Sequence, residues 1–218
     1  MFDELSKILK ARDVKLVVVS KTQSPERILE LYQKGQRIFG ENRVQEMLVK
    51  HGSLPGDIEW HMIGHLQSNK VKQIAPFVSL IHSVDGFGLL EEINKQAKKA
   101  GRVIDCLLQF HIAQESSKFG LSPEEAEEML NSPEFANMKN VRILGVMGMA
   151  TFTSNQSQVE REFRQLKGIL ENLKSTYFAD STYFKEISMG MSGDWELAVE
   201  NGSTMVRIGS LIFEGMNP

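Results

Sequence analysis

Short apolar runs alternate with segments of helical periodicity along most of the chain. Residues 16–20 are rich in β-branched side chains and are typical of a buried strand. Ser24 and Pro25 then indicate the start of a helix, because serine caps a helix N-terminus and proline fits its first position. The same Ser-Pro pair recurs at Ser122 and Pro123. The pattern therefore predicts repeated strand–helix units.

Eight strands are predicted in this way. They cover residues 16–20, 37–39, 58–63, 80–84, 103–112, 141–149, 185–189 and 205–209. The strands lack clean polar alternation, as expected when helices cover a parallel sheet. Eight such units in 218 residues predict an α/β protein with a single (β/α)8 TIM barrel, in which residues 1–218 form one domain. An open doubly wound sheet is the alternative that the sequence leaves open.

Composition and charge exclude several classes of partner. The formal net charge is −3, without the basic excess that a nucleic-acid partner would require. The first residues lack the apolar core of a signal peptide, and no apolar stretch is long enough to span a bilayer. The single cysteine, Cys106, lies in an apolar run and indicates a buried thiol in a reducing compartment. We therefore expect a cytoplasmic protein.

Lys21 is the first candidate for chemistry, because it directly follows the first strand. Active sites of (β/α)8 barrels lie at the C-terminal ends of the strands. With a period of two, Val17, Val19 and Lys21 share a face, so the ammonium would point into the barrel mouth. Burial there would lower the lysine pKa, and the neutral amine is the form that attacks an aldehyde. The alternative is a lysine that extends into solvent at a strand end.

Glycine and serine are frequent in the loops after the last two strands. Residues 188–194 read Ser-Met-Gly-Met-Ser-Gly-Asp, and Gly209 and Ser210 follow the eighth strand. Loops at these places in barrels often bind phosphate through backbone N–H groups. Arg207 lies in an apolar strand and needs a partner, either a structural ion pair or a ligand. Barrel closure would bring Lys21, Arg207 and both loops into one pocket, which points to a phosphorylated aldehyde.

The histidines are candidates for metal ligands or for core residues. His61 and His65 have the spacing of a metal pair on a helix, but this segment reads as a strand, and no third ligand is evident. We expect no metal site and a polar role for this pair near the pocket rim. His82 and His111 end apolar strands and are interpreted as core histidines with satisfied hydrogen bonds.

Several sequence blocks resemble the pyridoxal phosphate homeostasis protein family, nearly collinearly and over most of the chain. The blocks are Val19-Ser-Lys-Thr22, Phe39-Gly-Glu-Asn-Arg43, Trp60-His-Met-Ile-Gly-His-Leu-Gln-Ser-Asn-Lys70, Lys118-Phe-Gly120, Gly145-Val-Met-Gly-Met149, Ser188-Met-Gly-Met-Ser-Gly-Asp194 and Gly202-Ser-Thr-Met-Val-Arg-Ile-Gly209. The resemblance implies a fold similar to the N-terminal barrel of alanine racemase, with pyridoxal 5′-phosphate (PLP) held as an internal aldimine on Lys21. It also implies roles for further residues: Arg207 would face the pyridine nitrogen, Asn42 would lie near the cofactor, and the phosphate would contact Ser192, Gly193, Gly209 and Ser210.

The chain departs from the family pattern at two places. Its start is shorter than the usual N-terminal helix of the family. It reads Ile212-Phe-Glu-Gly-Met216 where members commonly have Ile-Phe-Gly-x-Arg. Glu214 therefore puts the geometry of the last turn in question, but not the lysine or the phosphate loops.

The resemblance favours a carrier over an enzyme. An arginine at the pyridine nitrogen makes PLP a poor electron sink, and racemisation needs two bases. In alanine racemase the second base is a tyrosine from the other subunit's C-terminal domain, whereas this chain ends just after the barrel. Tyr32, Tyr177 and Tyr183 are predicted to lie away from the strand ends.

We therefore predict a monomeric carrier and buffer for intracellular PLP, without evident catalytic turnover. Apo forms of PLP-dependent enzymes are the recipients that this role implies. Two alternatives stay open on the sequence. One is a PLP-dependent amino-acid racemase of low activity, and the other is a cofactor-free Schiff-base aldolase acting on a sugar phosphate.

Overall fold

A closed parallel barrel forms the centre of the protein. The structure is a computed structural model, and it describes residues 1–114 and 119–216. Its strands pair in chain order, and β1 also pairs with β8, from Lys15 opposite Met205 to Val18 opposite Ile208. The strands are β1 (Lys15–Val19), β2 (Ile38–Glu41), β3 (Glu59–Met62), β4 (Leu80–Val84), β5 (Ile104–Phe110), β6 (Val141–Gly148), β7 (Glu186–Ser188) and β8 (Met205–Ile208). The predicted (β/α)8 barrel is confirmed, and the open sheet is excluded.

Helices surround this barrel, and α2 and α6 begin at the predicted Ser-Pro pairs. They are α1 (Phe2–Ala11), α2 (Pro25–Gln33), α3 (Val44–Ser53), α4 (Val71–Ile74), α5 (Phe87–Lys99), α6 (Pro123–Asn131), α7 (Pro133–Ala136), α8 (Gln156–Tyr177), α9 (Trp195–Glu200) and α10 (Ser210–Glu214), with a short 3₁₀ turn at Ser68–Lys70. In the part of the chain that the structure describes, no helix has the length and apolar character needed to cross a membrane.

Both Ser-Pro pairs begin a helix as predicted, but only one serine caps with its side chain. Ser122 and Glu125 form a reciprocal capping box, in which the Ser122 hydroxyl accepts the Glu125 N–H at 3.1 Å. Ser24 stands at the N-cap of α2 without a side-chain hydrogen bond to the helix. The sequence feature that correctly marks the start of α2 is therefore Pro25 at the first helical position.

Apolar side chains pack in two separate layers. The larger layer lies between the outer faces of the strands and the helices, and it includes the fully buried Cys106. Burial raises the pKa of its thiol, in agreement with the predicted inert core cysteine. The smaller layer fills the barrel interior and consists of Val17, Leu80, Leu107, Met147 and Met205. The barrel is therefore a packed core, and a ligand can enter only above this layer.

The two ends of the barrel differ in their polar groups. At the N-terminal end, the Lys15 ammonium lies 2.6 Å from the buried Glu186 carboxylate, which also accepts the Thr204 hydroxyl at 2.8 Å. These groups satisfy one another and close that end. The C-terminal end carries the loops with the candidate site residues.

Replacing Gly145 by alanine tests the strand register that supports this site. Gly145 lies in β6 beside an irregularity in its pairing with β5, and an added Cβ would stand 1.9 Å from the Glu186 carbonyl oxygen. We expect Gly145→Ala to lower the free energy of unfolding by about 3 kcal/mol or more, because backbone must move. Gly168→Ala is the matched control, because Gly168 lies on α8 with open space around it. This substitution should raise the free energy of unfolding by up to about 1 kcal/mol. Chemical denaturation measures both, and an unaffected Gly145→Ala protein would contradict the register.

Candidate functional site

Residues from the first and last strands line one cleft at the C-terminal end of the barrel. Lys21 follows β1, and Gly209 and Ser210 follow β8. Together with Val19 they line a cleft of about 220 Å³. The β1–β8 pairing places these residues side by side, as barrel closure predicted. Glu214, where the chain departs from the family pattern, ends α10 and lines the same cleft.

Lys21 itself lies differently from the prediction. Val17 is fully buried in the barrel, Val19 is half-buried at the rim, and Lys21 is exposed. The expected burial of Lys21 is therefore wrong in this structure. The reason is that β1 ends at Val19 and the chain then turns, with the Gln23 N–H donating to the Ser20 carbonyl at 3.0 Å. The strand alternation does not continue as far as Lys21.

A hydroxyl pair joins the loops after β7 and β8. The Ser210 hydroxyl donates to the Ser192 hydroxyl at 3.0 Å. Ser192 and Gly193 line a neighbouring cavity of about 560 Å³ that extends towards α1 and α9. The first turn of α10, which begins at Ser210, presents backbone N–H groups that have no partner within the helix. Hydroxyls and amides therefore converge where the two loops meet, which is the chemistry of an anion site.

Arg207 lies inside the barrel and is hydrogen-bonded to neutral groups. Its side chain donates from one terminal nitrogen to the Ser188 hydroxyl at 2.6 Å and from the other to the Gly148 carbonyl at 3.1 Å. Burial lowers the Arg207 pKa to about 10, while the charge of Asp194 acts in the opposite direction. The guanidinium is thus charged at neutral pH. Within the described chain, its Nε has no acceptor, so this N–H is available to a ligand.

Two histidines continue the hydrogen bonds from Arg207 into the barrel. Nδ1 of His82 lies 3.0 Å from the Ser188 hydroxyl, and Nε2 of His82 lies 3.0 Å from Nδ1 of His61. Burial lowers the pKa of His61 to about 3 and that of His82 well below its usual value, so both rings are neutral. The Ser188 hydroxyl thus contacts both the Arg207 guanidinium and the His82 ring.

These contacts decide the histidine predictions. His82 is a buried, hydrogen-bonded core histidine, as predicted. The expected position of His61 at the rim is wrong, because it is only 4% exposed inside the barrel. His65 is exposed, lies 3.0 Å from the Asp85 carboxylate and stacks on Phe119. The chain bends at Gly64, and His61 is buried whereas His65 is exposed, so the two do not share a site. His111 is half-buried, and its Nε2 lies 2.8 Å from the Ala113 carbonyl oxygen.

Asn42 stands directly after β2, outside the lining of the cleft. An added Cβ on Gly64 would come within 2.6–2.8 Å of Asn42 atoms, so glycine is needed for this approach. The Asn42 Oδ1 atom is buried and has no hydrogen-bond partner among the residues described. A buried acceptor without a partner costs free energy, so this oxygen is suited to a bound group or a water.

The structure also shows residues whose importance the sequence analysis missed. In the sequence, Ser188 is only the first residue of a loop rich in glycine and serine. In the structure, its hydroxyl contacts both Arg207 and His82. Glu41 and Lys50 form a buried ion pair at 2.7 Å. The sequence feature that could have indicated this pair is a carboxylate at the end of an apolar strand. Lys118 lies outside the described residues. Tyr32, Tyr177 and Tyr183 lie on or beside helices and away from the cleft, as predicted.

The buried histidines predict a pH dependence of stability. The unfolded chain protonates His61 near pH 6.5, whereas the folded chain does so near pH 3. Between these values the unfolded state binds more protons, so the free energy of unfolding decreases as the pH is lowered, by up to about 1.4 kcal/mol per pH unit for each such histidine. We expect His61→Gln to have a shallower slope than wild type between pH 6.5 and 4 by about this amount. Equal slopes in denaturation series would contradict the buried neutral imidazole.

Comparisons with known proteins agree with this arrangement. The family model described as "Alanine racemase, N-terminal domain" matches residues 2–217. The pyridoxal phosphate homeostasis protein of Aquifex aeolicus (strain VF5) is 42% identical over 200 residues, covering 91% of this chain and 86% of that protein.

Solved structures extend the likeness to three dimensions. PipY of Synechococcus elongatus PCC7942 without PLP gives a TM-score of 0.88 at 33% identity, covering 97% of this chain and 98% of that chain. PipY with PLP bound gives 0.82 at 35% identity over 92% of each chain. With these matches over almost its whole length, the chain belongs to the pyridoxal phosphate homeostasis protein family, which shares the barrel of the alanine racemase N-terminal domain.

Proposed function

We propose that this protein binds PLP covalently through Lys21 and acts in PLP homeostasis as a carrier and buffer. The observation that carries the proposal is the cleft in which Lys21 faces Gly209 and Ser210. An amine and an anion site in one cleft match the aldehyde and the phosphate of PLP. The relatives support the same ligand, since they are named pyridoxal phosphate homeostasis proteins and PipY was solved with PLP bound.

The described residues fit each part of the cofactor. PLP supplies an aldehyde, with which the Lys21 amine forms a C=N bond as the aldehyde oxygen leaves as water. The joined loops supply the Ser192 and Ser210 hydroxyls and the backbone at Gly193 and Gly209 for the phosphate. The unpartnered Oδ1 of Asn42 is a buried polar atom that a neighbouring cofactor would complete, directly or through water.

Arg207 supports a carrier more than an enzyme. Ser188 and Gly148 each accept one N–H from its terminal nitrogens, and the Nε–H is a further donor available to the pyridine nitrogen. A charged guanidinium donates there and does not leave the ring protonated, so the cofactor would withdraw electrons weakly. Among the described residues, none of the three tyrosines lines the cleft, so the tyrosine that serves as second base in alanine racemase has no counterpart there. Binding without turnover is the function that these residues favour.

The wider role follows from this chemistry. A reversible C=N bond lets the protein limit free aldehyde and release it to apo forms of PLP-dependent enzymes. We propose that residues 1–218 act as one domain and as a monomer in the cytoplasm.

Borohydride reduction tests the covalent link. Reduction of the purified protein after incubation with PLP should give a pyridoxyl adduct on the peptide containing Lys21, identified by mass spectrometry. Lys21→Ala should lose the adduct and the yellow colour. Lys98→Ala is the control, because this exposed lysine lies on α5 away from the cleft, and it should keep both. Absence of any Lys21 adduct under excess PLP would overturn the proposal and favour the colourless sugar-phosphate aldolase.

A racemase assay separates the carrier from the enzyme. The PLP-loaded protein should not exchange the α-proton of alanine or other amino acids for deuterium, measured by NMR over many hours. The physical reason is the weak electron sink beside Arg207. Exchange faster than that caused by free PLP, lost in Lys21→Ala and accompanied by formation of the opposite enantiomer, would instead establish a racemase.

A further inference from the structure

The turn that carries Lys21 has an unfavourable residue at its third position. The Gln23 N–H donates to the Ser20 carbonyl, which makes residues 20–23 a β-turn with Lys21 second and Thr22 third. Thr22 has a φ of 62°, the left-handed value that a type II turn requires at this position. Glycine is the usual residue there, because a β-branched side chain in this region is strained. Some other interaction must therefore hold the turn.

Two side chains of α3 bind the backbone of this turn. A Glu46 carboxylate oxygen accepts the Thr22 N–H at 2.8 Å, and the Lys50 ammonium donates to the Ser20 carbonyl at 2.7 Å. These bonds flank Lys21 on either side. Glu46 and Lys50 stand four residues apart and therefore share a helix face, where their charges approach to 3.4 Å.

Glu41 completes the cluster from the end of β2. One of its carboxylate oxygens accepts the Ser20 hydroxyl at 2.6 Å and the Lys50 ammonium at 2.7 Å. The side chains of Glu41 and Lys50 are 0% and 6% exposed. A buried ion pair of this kind contributes little net stability, because desolvation of both charges offsets their attraction. Its contacts with the Ser20–Gln23 turn give it a different use.

We propose that Glu41, Glu46 and Lys50, here named the turn-holding cluster, are positioning residues that fix the direction in which Lys21 leaves the barrel rim. This inference rests on the proposed function, because it takes Lys21 as the PLP-binding residue. It explains why the Gly-Glu-Asn-Arg block contains a glutamate that does not line the cleft. With the turn held, the Lys21 amine needs no backbone rearrangement to meet an aldehyde beside Ser210. Without the cluster, the turn relaxes and that preorganisation is lost.

The experiment combines Glu46→Ala with Thr22→Gly. Glu46→Ala removes the acceptor of the Thr22 N–H but leaves the buried Glu41–Lys50 pair, so the protein should fold. In PLP-free protein, hydrogen exchange at Thr22 should accelerate. PLP affinity, measured by absorbance titration, should fall about tenfold. The free energy of such a change is comparable to the strain of a threonine held in the left-handed region. Thr22→Gly in the same background should restore most of the affinity, because glycine adopts the turn without support.

Glu162→Ala is the matched control. Glu162, on α8, accepts the Thr151 N–H at 2.6 Å and so makes the same kind of helix-to-loop bond after β6. The Glu162→Ala substitution should lower the melting temperature of the protein without weakening PLP binding. If Glu46→Ala behaves like Glu162→Ala, or if Thr22→Gly restores nothing, the positioning role is wrong. If wild type takes up no PLP on Lys21, the proposed function and this inference fail together, whereas normal wild-type labelling with an unaffected Glu46→Ala overturns the inference alone.

Discussion

The pairing of β1 with β8 is the constraint on which the rest of the structure depends. Four residue pairs, from Lys15–Met205 to Val18–Ile208, close the sheet into a barrel. Closure removes both sheet edges and gives the interior its apolar layer. It also places the first strand of the chain beside the last. Lys21 and Ser210, which are almost as far apart in sequence as the chain permits, line one cleft for this reason alone.

Closure also creates a polar interior above the apolar layer. Arg207 is opposite Val17 in the β1–β8 register, so its side chain leaves the strand deeper in the barrel than that of Val19, which lies at the rim. Its charge is compensated by a hydroxyl and a carbonyl, and the hydrogen bonds then pass through His82 to His61. A buried guanidinium without a carboxylate bonded to it is costly. The arrangement is understandable if the free Nε serves a neutral acceptor on a ligand, such as a pyridine nitrogen.

Two buried polar systems therefore flank the same mouth from opposite sides of the strand layer. The hydrogen bonds that run from Arg207 through Ser188 to His82 lie inside the barrel. The turn-holding cluster lies outside it, between the β-strands and α3. One orients a donor, and the other orients the backbone that carries Lys21. Neither contributes much stability by area burial, so both are best understood as ways of fixing geometry around a small ligand. A carrier needs such geometry to bind an aldehyde, yet it needs no second base.

The sequence by itself determined the local elements and the loops that carry the site, and it favoured a barrel over an open sheet. Strand and helix signals are local, because β-branched runs, Ser-Pro starts and helical periodicity act within a few residues, whereas closure of the barrel rests on the pairing of β1 with β8. Tertiary structure alone decided the positions that depend on where a strand ends. Lys21 is exposed because β1 stops at Val19, and His61 is buried because β3 extends to Met62 and pairs His61 with Leu80 of the barrel interior. The partners of Arg207 and Thr22 come from β6, β7 and α3, and no local pattern encodes contacts between residues so far apart in the chain.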